Sequence, residues 1–247
     1  MAKERYVGVV WSGESWLSVA FTADGYEETR VFEGIGACWA HYEEDTRRIL
    51  VGVPIGLVES GDPVRSCDEL ARSVLGSRGS TVVDPPVREA TRKRRYSTAN
   101  RVHERKAGTT LSEAAFALSE GIAMCDELLQ EVPEAAAVVR GAHPELCFRA
   151  FAGEQLHREA TTAAGYAERM RTLARYDRDA PPVVQKGAEA TEGHDVPVAD
   201  VLDAVALAYT AAPGEGDLWT LPAQPPTDGR GLPIELVYRA AAPLVAE

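Results

Sequence analysis

The sequence predicts a mixed α/β fold, a sheet with helices on its faces. Three observations point there. Three short β-rich runs open the chain, apolar residues then switch to helical spacing, and short apolar runs recur between the helical ones. The resulting order is β-β-β-α-β-α, a basic segment, then α-β-α, with a late helix and a closing strand.

Tyr6 to Trp11, Trp16 to Phe21 and Tyr26 to Glu33 are joined by SGES and TADG, turn chemistry for a meander of three antiparallel strands. Ile35, Cys38, Trp39 and Tyr42 recur at helical spacing. A fourth strand follows in RRILVGVPIGL, stopped by Pro54 and Gly56. RSCDELARSVLG reads as a helix with Ser66 and Glu69 at capping-box spacing and Gly76 at its end. From Gly79 to Gly108 the apolar period is lost, and a loop with a short polar helix is expected. Leu111, Ala115, Leu118, Ile122, Cys125 and Leu129 restore one long amphipathic helix. AAAVVRGAHPE offers a fifth strand, residues 154–192 two weaker helices and a polar loop, PVADVLDAVALAYTAA the last strong helix, and IELVYRA the closing strand. A length of 247 residues suits one domain, 1–247, with a basic insertion at about 84–108.

Acidic residues outnumber basic ones 38 to 26, for a net charge of -12, and only Lys3, Lys93, Lys106 and Lys186 are lysines. That balance predicts adaptation to high salt: at about 1 M the Debye length falls to roughly 3 Å, so an acidic surface no longer repels itself. An arginine-favouring genome is the competing explanation. The five-residue apolar run Val7 to Trp11 is too short for a signal-peptide core, and no run approaches the ~18 residues of a membrane span. A cytoplasmic protein without a membrane partner is expected. Cys38, Cys67, Cys125 and Cys147 lie far apart without a metal-ligand pattern, and read as reduced core thiols.

GIGACW lacks the third glycine of a dinucleotide fingerprint, and no acid ends the following strand. P-loop, zincin and G-x-S-x-G motifs are absent. The unusual segment is Arg88 to Lys106, where Arg88, Arg92, Lys93, Arg94, Arg95, Arg101, Arg105 and Lys106 face only Glu89 and Glu104, a local charge of +6. A phosphate backbone would dock there without repulsion, and Tyr96 and His103 are placed to stack on bases. Equally, these arginines would pair with the acidic surface. Asp200 and Asp203 share a face near the start of the last helix, above Leu207 and Ala211 and opposite a stripe of Val198, Val201, Leu202, Val205 and Tyr209. They read either as the rim of a partly buried pocket or as ordinary acids of a helix N-terminus. Glu145 follows Pro144 at the end of the fifth strand.

VPIGL, RSCDELARSVLGSR, STVVDPPVR, YSTAN, LSEAAF, HPELCF, AGYAERMRTL and DVLDAVALAYTA resemble, in order and spacing, the motifs of the domain of unknown function 429 family, predicted nucleases of RNase H-like fold. The resemblance covers about Tyr6 to Ala212. It implies a mixed five-stranded central sheet, three antiparallel strands then two parallel, with helices on both faces. It also implies hydrolysis of nucleic-acid phosphodiesters by two divalent metals, Mg or Mn, about 3.5–4 Å apart.

On that resemblance Glu145, Asp200 and Asp203 are the catalytic and metal-ligating acids, and Arg88 to Lys106 holds the phosphates. The family's first-strand Gly-hydrophobic-Asp is here Gly8, Val9, Val10, and family acids are replaced by Gly52 and Gly141. A lysine pair is replaced by Ala160 and Thr161, and Glu14, in the first turn, is the nearest substitute acid. The expectation is therefore a nuclease with weakened or lost activity. The alternatives are a non-catalytic nucleic-acid-binding or protein-interaction domain, or hydrolysis of a small phosphate ester.

Overall fold

The structure, a computed structural model, describes residues 4–245. Its opening meander is β1 Arg5–Trp11, β2 Trp16–Thr22 and β3 Gly25–Phe32. Helix α1 Ile35–Tyr42 crosses to β4 Thr46–Val51. Then come α2 Ser66–Leu75, a 3-10 turn at Gly76–Thr81, α3 Arg88–Thr91 and α4 Tyr96–Ala107. Helices α5 Glu113–Ala117, α6 Ser119–Glu131 and α7 Pro133–Val138 lead to β5 Val139–Gly141. The chain continues through α8 Pro144–Ala152, α9 Ala163–Tyr176, α10 Ala180–Glu189 and α11 Val198–Ala211. It closes with β6 Asp217–Leu221 and β7 Leu236–Ala240.

The central sheet has strand order β3-β2-β1-β4-β5. β1 to β3 pair antiparallel, while β1 with β4 and β4 with β5 pair parallel. Three antiparallel strands followed by two parallel ones is the arrangement the sequence implied. The middle strand is covered on both faces, which is why Tyr6 to Trp11 carries no charge. Val7, Val9 and Trp11 pack with Ile35, Trp39, Ile122 and Cys125 of α1 and α6, whereas Tyr6 and Val10 pack with α8 to α11. On the latter face α11 lies directly on β1, because a Cβ at Gly8 would stand 2.2 Å from the Ala204 carbonyl and 2.3 Å from the Ala208 nitrogen.

Several local expectations are corrected. Helix α2 is capped by Arg65 without a side-chain hydrogen bond, so the Ser66–Glu69 capping box does not form. Arg65 and Asp68 instead bury an ion pair of 2.7 Å, and Arg65 also donates to the Ile55 carbonyl. The single long helix expected from Leu111 is two, α5 and α6, broken at Leu118, where the chain turns to lay Gly121 against the Trp11 ring. The closing strand β7 is not part of the central sheet. It pairs antiparallel with β6, which the sequence reading missed, and packs through Leu221, Leu236 and Tyr238 on Ala71, Val74 and Leu146. Val198, assigned to the apolar stripe of α11, is half exposed.

The four cysteines are free and buried, and burial pushes each thiol up to about 12. No helix among the described residues is long and apolar enough to cross a membrane.

Candidate functional site

Asp200 and Asp203 sit in the first two turns of α11, which starts beside the end of β1. Ser12, immediately after β1, donates to Asp200 Oδ2 at 2.5 Å and holds that carboxylate against the strand. Burial raises the Asp200 carboxyl above its ordinary range, and the Ser12 hydroxyl partly offsets this. Asp203 is held well above the carboxylate range, chiefly by burial and then by Glu145 and Asp200, with Arg169 opposing. The structure thus gathers Glu145, Asp200 and Asp203 into one electrostatic neighbourhood.

That neighbourhood also holds a cation that sequence reasoning missed. Arg169, fully buried in α9, donates through Nη2 to Glu145 Oε1 and through Nη1 to the Arg158 and Gly165 carbonyls, and its guanidinium lies 5.6 Å from the Phe148 ring centre. Arg78 stands 3.6 Å from the same carboxylate. A signal was present in the sequence: Arg169 lies at four-residue spacing between Gly165 and Leu173, both on the buried face.

The positions where the resemblance leads one to expect acids are filled. Val10 is buried in the core beside Leu50 and Leu207. A Cβ on Gly52 would stand 3.3 Å from Val10 and 3.4 Å from Leu207. A Cβ on Gly141 would stand 3.1 Å from the Glu235 carbonyl, brought there by the closing hairpin. Glu14 is exposed in its turn, and Ser12 makes the contact with Asp200 instead. Among the described residues no group of three or more His, Cys, Asp and Glu is placed to hold a metal ion. Glu145 Oε2 is buried without a partner, but its other oxygen is claimed by arginine. The residues present therefore do not fit a two-metal centre, which needs several carboxylates free to neutralise two cations.

The basic segment is largely neutralised. Arg88, buried, reaches Glu59 at 2.5 Å, Asp126 at 3.1 Å and also Asp228. Arg92 pairs with Asp126 and Glu127, while Lys93, Arg105 and Lys106 converge on Glu89. Arg94, Arg95 and Arg101 are exposed and make no ion pair among the described residues. Tyr96 and His103, expected to stack on bases, are engaged within the chain. Tyr96 donates to the Leu111 carbonyl and packs edge-on against Phe116, and buried His103 accepts from the Val87 amide. The segment is anchored through α3 on α6, whereas the acids ride α11, on the opposite face of the sheet.

A family model described as "Protein of unknown function (DUF429)" matches residues 11–227. The chain belongs to this family. No curated protein and no solved structure matches it.

Proposed function

We propose that this DUF429 chain is an RNase H-like relative of predicted nucleases in which metal-dependent phosphodiester hydrolysis is lost, and that it works as a non-catalytic nucleic-acid-binding domain. The strand order, with an acid-bearing helix laid on the first strand, supports the scaffold. One observation carries the loss: where the central strand would present a carboxylate, Val10 is buried in the same apolar cluster as Leu207. An RNase H-like centre without that carboxylate, and with Glu145 held by Arg169, lacks the negative charge that draws in two divalent ions.

Arg94, Arg95 and Arg101 carry the binding role, beside a groove of about 650 Å³ lined in part by Arg92, Lys93, Arg94 and Phe116. Three phosphate contacts would give a salt slope of roughly -3 on duplex DNA, a modest and salt-sensitive affinity.

Titration of Mn²⁺ by calorimetry into the wild type and an Asp200→Ala, Asp203→Ala double variant tests the loss. Identical weak heats are expected, and binding that disappears in the variant would restore the nuclease reading. Anisotropy of a labelled oligonucleotide tests the surface. Affinity should collapse in an Arg94→Glu, Arg95→Glu, Arg101→Glu variant, and an unchanged affinity would remove nucleic acid from the proposal.

A further inference from the structure

A cavity lies at the opposite end of α11 from the acids. Asp200 and Tyr209 are nine residues apart, about 13 Å along a helix. The cavity has a volume of about 750 Å³ and opens between the β2–β3 turn, the junction of α9 with α10, and the segment after α11. Its wall is a continuous run of rings: Tyr176 to Tyr209 at 5.6 Å, Tyr209 to Phe21 at 4.6 Å, and Phe21 to Tyr26 at 6.0 Å between centroids. Its rim carries Asp24, Asp177, Asp179 and Glu215 against a single cation, Lys186.

Two further features point to a ligand. The hydroxyls of Tyr176 and Tyr209 are buried and accept no hydrogen bond, the Tyr209 hydroxyl having only the Asp177 carboxylate beside it as an acceptor, and Tyr209 is only 6% exposed. Burial and the nearby Asp177 carboxylate push the Tyr209 hydroxyl up, so it stays a neutral phenol with lone pairs to offer. An unpaired buried hydroxyl is costly and calls for a partner. The cavity also already receives one ammonium: Lys186 Nζ lies 5.7 Å from the Tyr26 ring centre.

We infer that this cavity binds a small aliphatic polyamine, one ammonium donating to the Tyr209 and Tyr176 hydroxyls within the aromatic wall and another paired with the acidic rim. A quaternary ammonium would satisfy the rings but has no N–H for the hydroxyls. An anion would meet four carboxylates. A purely apolar ligand would leave the phenols unpaired. The inference concerns a site apart from the acids and does not depend on the loss of hydrolysis.

Spermidine, titrated by calorimetry into the full chain at moderate salt, should bind saturably at one equivalent. Tyr209→Phe should weaken it about tenfold or more, the value of a hydrogen bond to a charged group. Asp177→Asn with Asp179→Asn, which keep the Asp177 side-chain oxygen that accepts from the Asp179 amide, should weaken it similarly, and tetramethylammonium should bind much more weakly than spermidine. Glu134→Gln, at an exposed acid remote from the cavity, should change nothing. Non-saturating heats, or saturable binding indifferent to both the Tyr209 and the rim variants, would mean diffuse counterion attraction to an acidic surface and would overturn the inference.

Discussion

The two ends of α11 solve the problem of buried polarity in opposite ways. At its first turns the acids are tied in: Asp200 by Ser12, Glu145 by Arg169, with Val10 and Leu207 filling the space between strand and helix. At its last turns Tyr209, with Tyr176 of α9 beside it, keeps a hydroxyl that accepts no hydrogen bond next to a cavity of about 750 Å³. A polar group locked by an internal partner has little left for a ligand, whereas one left unpaired gains most from a visitor. The end that carries Asp200 and Asp203 is thus the closed one, and the end that carries Tyr209 is the receptive one.

The comparison breaks most visibly at Arg169. Arg169→Met leaves Glu145 buried without its main counter-charge and should cost about 3–5 kcal/mol in chemical denaturation. A loss below about 1 kcal/mol would mean that the acid end is not sealed by this pair. Gly8→Ala comes next, at about 3 kcal/mol, because its Cβ meets helix backbone and α11 must lift from β1. Because α11 moves as a unit, that variant should disturb both ends, read as altered tyrosine fluorescence together with the lowered midpoint.

Asp203 sharpens the comparison through pH. Its folded-state carboxyl is raised, so the native chain holds a proton that the unfolded chain releases. That contribution to stability is full below the ordinary carboxylate range and is lost as pH rises toward the raised value. Asp203→Asn should therefore be more stable than wild type at neutral pH, with the gap closing in acid. Denaturation midpoints across pH check this, and a gap that widens in acid would reverse the sign.

At the open end Tyr209→Phe should change stability by no more than about 1 kcal/mol, since the hydroxyl it removes accepts no hydrogen bond and the ring is kept. A marked loss would reveal an internal partner and shut the open end. The smallest effect belongs to the surface: Arg105→Ala, removing an exposed pair at 3.5 Å to Glu89, should stay within about 0.5 kcal/mol.

What the sequence determined by itself was short-range. Turn residues and alternating apolar runs placed β1 to β3, the crossover through α1 placed β4 beside β1, and helical period marked α11 with Asp200 and Asp203 sharing a face. The apolar character of α11 below those acids was legible too, and Leu207 and Ala211 are fully buried.

Tertiary structure decided the rest. It replaced the Ser66 cap by the Arg65–Asp68 pair, broke the helix at Leu118, and folded β6 and β7 into a separate hairpin. It spent most of the basic segment on internal acids, joining Arg88 to Asp228 across 140 residues, and tied Ser12 to Asp200 across 188. The reason is physical. Propensity and period act over a turn of helix or a few strand residues, whereas the partner of a buried charge is set by which distant segments the core brings together.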